Sequence, residues 1–175
     1  MNLLRETLFK HQFGNQPRVP PPHYRRKTYL CYQLKQRDDS TLDRGCFRNK
    51  IRSRNLDQNQ HYRLTCFISW SPCYCCAHNL TTFLKENPHI SLHIFASRLY
   101  TSNRFGCYQR GLRELQAAGA QITIMTFQGR QGSPGDFEYC WETFVDHRGN
   151  PFQPWEGLEA KSQELCEELQ AILRH

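Results

Sequence analysis

Apolar residues along this chain follow two rhythms, short strand-like runs and 3.6-residue helical spacing, and their order predicts the elements. Residues 28–36 (TYLCYQLKQ) are rich in aromatic and β-branched types with partial alternation, as in a half-buried strand. The polar stretch 37–44 reads as a turn, with Asp43-Arg44-Gly45 supporting a reversal, and residues 46–49 as a second, shorter strand. Residues 62–70 (YRLTCFISW) form the next strand and lead into Ser71-Pro72-Cys73, where Ser is placed to cap a helix and Pro to occupy its first turn. Cys76, Leu80, Phe83 and Leu84 then recur at helical spacing until Asn87-Pro88 stops the helix. Strand 91–99, helix 108–118 with Gly119 as a left-handed cap, strand 121–127, helix 136–147 and an amphipathic helix 159–175 follow. The glycine-rich loop 129–135 lacks the GxxxxGK[ST] spacing of a phosphate cradle and reads as a linker.

Five strands, the later ones alternating with helices, predict an α/β class: a mixed five-stranded sheet with helices on both faces. The nearly continuous apolar runs 91–99 and 121–127 predict buried parallel strands. Cys73 and Cys76 then fall at the carboxyl end of a strand, where open α/β sheets place their chemistry. The length of 175 residues predicts a single domain spanning 1–175. With 38% apolar residues and a mean hydropathy of -0.74, and with no apolar run near the ~20 residues of a spanning helix, no membrane crossing is expected. Arg5, Glu6 and Lys10 interrupt what would have to be the apolar core of a secretory signal, so the first residues read as an amphipathic helix and the expected residence is the cytoplasm, with the nucleus left open.

Charge sharpens the functional reading. Residues 1–63 hold 14 Lys/Arg against 5 Asp/Glu, whereas residues 64–175 hold 9 against 11, so the excess of the +7 net charge lies in the first third. One-sided positive charge suits a polyanion, and His23, Tyr24, Tyr29 and Phe47, interleaved with it, are of a kind that stacks on unpaired bases. Nine cysteines are an odd number in a chain long enough to have a core. They read as mostly free thiols, with Cys31, Cys66 and Cys140 buried and Cys73, Cys75 and Cys76 crowded at one point. Pro-Cys-x-x-Cys at a strand-to-helix junction places two thiolates where they can grip one zinc ion, with a redox dithiol as the competing reading.

At these residues the chain resembles a known family. Ser69-Trp70-Ser71-Pro72-Cys73-Tyr74-Cys75-Cys76, Phe95-Ala96-Ser97-Arg98-Leu99-Tyr100, Cys140-Trp141-Glu142-x-Phe144-Val145-Asp146-His147, Pro151-Phe152-x-Pro154-Trp155 and the upstream stretch 25–34 are similar to the AID/APOBEC polynucleotide cytidine deaminases, most of all their single-domain antiviral H-type branch. The resemblance implies a cytidine-deaminase-like fold, single-stranded DNA or RNA as partner, and a zinc ion held by one His and two Cys that activates water against cytosine C4 while a Glu shuttles protons. Cys73 and Cys76 match the two cysteine ligands. The family's His-x-Glu helix should follow the strand at 46–49, but family members carry about a dozen more residues between Asn49 and Ile51, and no Glu occurs between residues 7 and 85. The first core helix is therefore expected to be largely missing, zinc weak or absent, and no residue of this chain is assigned as catalytic.

The resemblance further assigns Arg25, Arg26, Asn49, Trp70, Arg98 and Tyr100 to nucleic-acid contact: Trp70 as a wall of the base pocket, Tyr100 as a stacking residue, and Arg98 either touching the backbone or bracing the pocket from beneath. Thr101-Ser102-Asn103 and the acidic Glu164, Glu167 and Glu168 stand where the H-type branch has aromatics and arginines for an RNA-bridged dimer, so a monomer is expected. Three readings remain open: a non-catalytic single-strand binder, an active single-stranded DNA cytidine deaminase with a completed or non-standard zinc site that restricts viruses and retroelements, and a partly unfolded, non-functional form, since losing a central helix exposes sheet surface.

Overall fold

The computed structural model describes residues 2–16, 28–48, 56–101 and 106–175. Its main sheet is built from β2 (Tyr29–Gln36), β3 (Thr41–Arg48), β4 (Tyr62–Ile68), β5 (Ile90–Ala96) and β6 (Gln121–Ile124), side by side in the order β3-β2-β4-β5-β6. β2 is antiparallel to both β3 and β4. β4, β5 and β6 are parallel, as predicted; the expected burial on both faces fails at β6, an edge strand in which Ile122 and Ile124 are buried and Gln121 and Thr123 exposed.

Alternation along the strands divides the core. Cys66, Ile68, Leu92, Ile94, Ala96, Ile122 and Ile124 face α2 (Tyr74–Glu86), α3 (Cys107–Ala117) and α5 (Leu158–Arg174), meeting Ala77, Leu84, Leu112, Leu115 and Leu165. On the opposite face, Cys31 and Phe67 meet Phe9 and Phe13 of α1 (Glu6–Phe13) and Phe137, Cys140, Trp141 and Phe144 of α4 (Asp136–Phe144). The fold is the mixed α/β sheet with helices on both faces that the sequence predicts. Only thirteen residues, 49–61, separate β3 from β4, and the described part, 56–61, forms a turn in which Gln60 N–H donates to Asp57 O at 3.2 Å. Among the described residues, no helix stands where the first core helix is expected.

Several boundaries differ from the sequence reading. The reversal after β2 lies at residues 37–40, and Asp43, Arg44 and Gly45 are inside β3. Asp38 Oδ1 accepts from Ser40 N–H (3.0 Å) and Ser40 Oγ (2.6 Å), and Asp39 takes a left-handed φ of 65°, so β3 begins at Thr41, five residues earlier than expected. Asp43 is held in the strand because its Oδ2 accepts from the Tyr32 phenol O–H at 2.7 Å. β4, β5 and β6 end at Ile68, Ala96 and Ile124, and α4 ends at Phe144, where Val145 turns extended and joins β7 (Val145–Asp146).

The chain's early and late segments are joined. β1 (Leu4–Arg5) pairs in parallel with β7. Asn15, 2% exposed, donates to Leu158 O (3.1 Å) and Ser162 Oγ (3.2 Å) and accepts from Trp155 Nε1 (2.7 Å). A buried amide with three partners has its polar capacity largely met. Among the described residues, no helix is long and apolar enough to cross a membrane.

α2 and α3 pack closely because position 111 is glycine: a Cβ there would lie 3.2 Å from both Ala77 Cβ and Tyr74 Cα. Gly111→Val forces that contact apart, and an expected loss of about 1–3 kcal/mol is measurable by urea unfolding.

Candidate functional site

The parallel pair β4 and β5 ends level, with Ile68 opposite Ala96, and both strands then run into loops on the same edge. Three buried serines tie those loops together. Ser97 N–H donates to Ile68 O (2.9 Å) and Ser97 Oγ to Ser69 O (3.0 Å). Ser69 N–H donates to Tyr29 O (3.0 Å), while its Oγ accepts from Tyr29 N–H (2.9 Å). Ser71 N–H donates to Arg98 O (2.8 Å), and Ser71 Oγ accepts from Tyr100 N–H (2.8 Å). Backbone groups that the ladder no longer pairs are thus satisfied by hydroxyls. Ser71 is therefore not the helix cap that the sequence suggests: its oxygen is committed to Tyr100, and Cys73, with extended backbone, precedes the first turn of α2.

These ties bring Trp70, Arg98 and Tyr100 to one edge. Trp70 and Tyr100 are half-buried. Arg98 is only 4% exposed: its guanidinium carbon lies 4.1 Å from the centroid of the Trp70 ring, and Nη1 donates to the buried Gly14 carbonyl. A desolvated guanidinium on an indole face is attracted by about 2 kcal/mol. Arg98 thus supports Trp70 from within. Arg25, Arg26 and Asn49 lie outside the described residues.

Cys73 and Cys76 sit one turn apart at the start of α2, Cys73 half-buried, Cys75 and Cys76 exposed. Partial desolvation, reinforced by a hydrogen bond with Cys73 and by the neighbouring thiols, pushes the Cys76 pKa up to about 11, so without metal it stays a thiol at neutral pH. Among the described residues, no group of three or more His, Cys, Asp or Glu side chains is placed to hold a metal ion.

The histidines are occupied elsewhere. His61 is exposed ahead of β4 and His78 is exposed on α2 with its ring 6.4 Å from Tyr74. His89 meets Tyr62 edge-on at 6.0 Å, His93 stacks on Phe95 at 4.0 Å and bonds Thr123, and His147 lies 3.3 Å from Glu142. The residues outside the described set contribute a single side chain of the His/Cys/Asp/Glu kind, His23, which the sequence reading did not weigh as a ligand. Glu86 is at the far end of α2, about 18 Å along the helix from Cys73. Among the described residues, two thiols that no third ligand or nearby carboxylate joins do not fit the zinc centre that the resemblance implies.

Sequence comparison extends these observations. A family model described as "APOBEC3, cytosine deaminase domain" matches residues 2–173. The cat (Felis catus) protein named "DNA dC->dU-editing enzyme APOBEC-3H" is 45% identical, with 99% of this chain and 92% of that protein aligned. The APOBEC-3G editing enzymes of Lagothrix lagotricha and Papio anubis are 40% and 38% identical over 95% and 99% of the chain, which spans about half of their length, 47% and 49%. The cat alignment runs over 185 positions, whereas 99% of 175 residues is about 173. That shortfall of about twelve equals in size the segment expected to be missing between Asn49 and Ile51.

Arg98→Met keeps an apolar stem beneath Trp70 but strands the Gly14 carbonyl. The expected cost is about 1–3 kcal/mol in urea unfolding, against less than about 0.5 kcal/mol for Arg110→Met on the exposed side of α3.

Proposed function

The chain belongs to the APOBEC3 family of cytosine deaminase domains, and from that premise we propose that it is a single-stranded nucleic-acid binder whose own deamination is impaired or lost. The observation that carries this reading is the thiol pair Cys73 and Cys76, kept at the start of α2 without a third ligand or a local carboxylate among the described residues. General acid–base work needs a proton-carrying group within hydrogen-bond reach of the reacting atoms, and no Glu occurs between residues 7 and 85.

Binding rests on different parts of the molecule. The positive charge concentrated in residues 1–63, with Arg25, Arg26 and Asn49 within it, neutralises and registers phosphates. Trp70 and Tyr100 provide half-buried aromatic surface on the edge where the strands end, with bases stacking on them. Arg98 acts through Trp70 and not on phosphate, in keeping with its burial. Glu164, Glu167 and Glu168 make the outer face of α5 acidic and exposed, which repels an RNA duplex and favours a monomer. The protein works in the cytoplasm, with access to the nucleus, as an antiviral factor that occupies a template.

A second reading has one specific observation in its favour. The hydrogen-bonded thiols at the head of α2 keep half of a zinc centre, so an added ligand would complete a metal site and restore an active single-stranded DNA cytidine deaminase.

One preparation tests both. Zinc is expected below one equivalent, with no uracil formed in a cytosine-containing single-stranded oligonucleotide. Binding to the same oligonucleotide is expected to weaken roughly 20-fold from 50 to 200 mM salt if three phosphates are neutralised. Uracil formed at one equivalent of zinc would overturn the first reading in favour of the second, and absence of salt-sensitive binding would overturn both.

A further inference from the structure

Cys31 in β2 and Cys46 in β3 occupy directly opposed positions in the antiparallel register. Ser69 N–H donates to Tyr29 O across to β4 (3.0 Å), so Tyr29, Cys31 and Gln33 turn their backbone groups toward β4. Gln36 N–H donates to Ser40 O (3.0 Å) on the β3 side, which fits the same phase. Cys31 and Cys46 are therefore a non-hydrogen-bonded cross-strand pair. Such pairs hold their Cα atoms about 4.5 Å apart with side chains converging, at the close end of the ~4.4–6.8 Å that a disulfide spans.

The side chains have converged here. Cys31 Sγ lies 2.7 Å from Cys46 Sγ, about 0.7 Å beyond the ~2.05 Å of a formed bond. Cys31 is fully buried, whereas Cys46 is half-buried and open to small molecules. Cys46 is therefore the member of the pair nearer to solvent.

We propose that Cys31 and Cys46 form a reversible cross-strand disulfide, with a small-molecule disulfide such as oxidised glutathione as the oxidant. The Cys46 thiolate attacks one sulfur of the small disulfide, forming a mixed disulfide and releasing one glutathione thiolate. Cys31, giving its proton to solvent base, attacks the Cys46 sulfur and releases the second glutathione. Two protein thiols are oxidised, one small disulfide is reduced to two thiols, and the two protons end on the glutathione. Burial pushes the Cys31 thiol well up, which makes the second step the slow one. The bond would clip β3, paired among the described residues only with β2, to the sheet immediately before the segment that leads toward β4.

The test is to treat the full chain with oxidised glutathione under native conditions, alkylate the remaining thiols and digest with trypsin. Cleavage after Lys27, Lys35, Arg44 and Arg48 isolates each cysteine in its own peptide, 28–35 and 45–48. The expected product is these two peptides linked, released by dithiothreitol, and at least about tenfold more abundant than from chain treated in urea, because the fold holds the sulfurs together. Cys46→Ser is expected to abolish the link and to leave Cys31 unmodified. Glutathione retained on Cys46, a Cys46–Cys140 link, equal yields in urea, or alkylation of both peptides while exposed Cys75 and Cys107 carry glutathione would each overturn the proposal.

Discussion

The parallel pairing of β4 with β5, seven rungs from Tyr62 opposite Ile90 to Ile68 opposite Ala96, is the interaction from which the rest of the site hangs. Its two strands finish level, so two loops from distant parts of the chain leave at one edge. The hydroxyls of Ser69, Ser71 and Ser97 then hold those loops against each other and against Tyr29. Cys73, Trp70, Arg98 and Tyr100 all take their positions from that edge. β4 is also paired along its other side by β2, so neither of its neighbours depends on a helix between β3 and β4. This explains how a chain so short between those strands keeps the sheet order of its family.

Fold and chemistry are separable here because they were never supplied by the same element. The sheet, the two apolar layers and the aromatic edge come from β2, β4, β5 and the helices that cover them. The resemblance places the proton-shuttling Glu and the third zinc ligand on a helix between β3 and β4, where only thirteen residues bridge the gap in this chain. Function resides in a site carried by a fold, and a site assembled from several crossovers is impaired when one of them is shortened. Among the described residues, α2 begins with a thiol pair that no third ligand joins.

The parallel strands are legible from their short apolar runs between helical stretches, although β6 proves covered on one face only, with Gln121 and Thr123 exposed. The hairpin was misread because Asp38-Asp39 and Asp43-Arg44-Gly45 are turn signals of equal strength in sequence. Tertiary contact decides between them: Tyr32 takes Asp43 as its acceptor and lays its ring within 3.0 Å of where a Gly45 side chain would begin. The serine ties were not legible, since a serine spent on buried backbone looks the same in sequence as one facing water. The Pro-Cys-x-x-Cys unit lies at the strand end as its sequence predicts, but the role of Ser71 depends on where Tyr100 arrives, 29 residues away. Arg98 was left between two roles because its partners, Gly14 and Trp70, lie on other segments.

The closure made by Asn15 bears on how the chain acquires its structure during synthesis. Its partners Trp155, Leu158 and Ser162 are 140 to 147 residues downstream, and Leu4 pairs with Val145. The segment 4–15 therefore lacks these partners until residues 145–162 have been made. At ~5–20 residues per second, the segment ending at Asn15 waits roughly 7 to 30 seconds for its partners, with Phe9 and Phe13 without the core that finally encloses them. Contacts of such long range also slow the closing step itself.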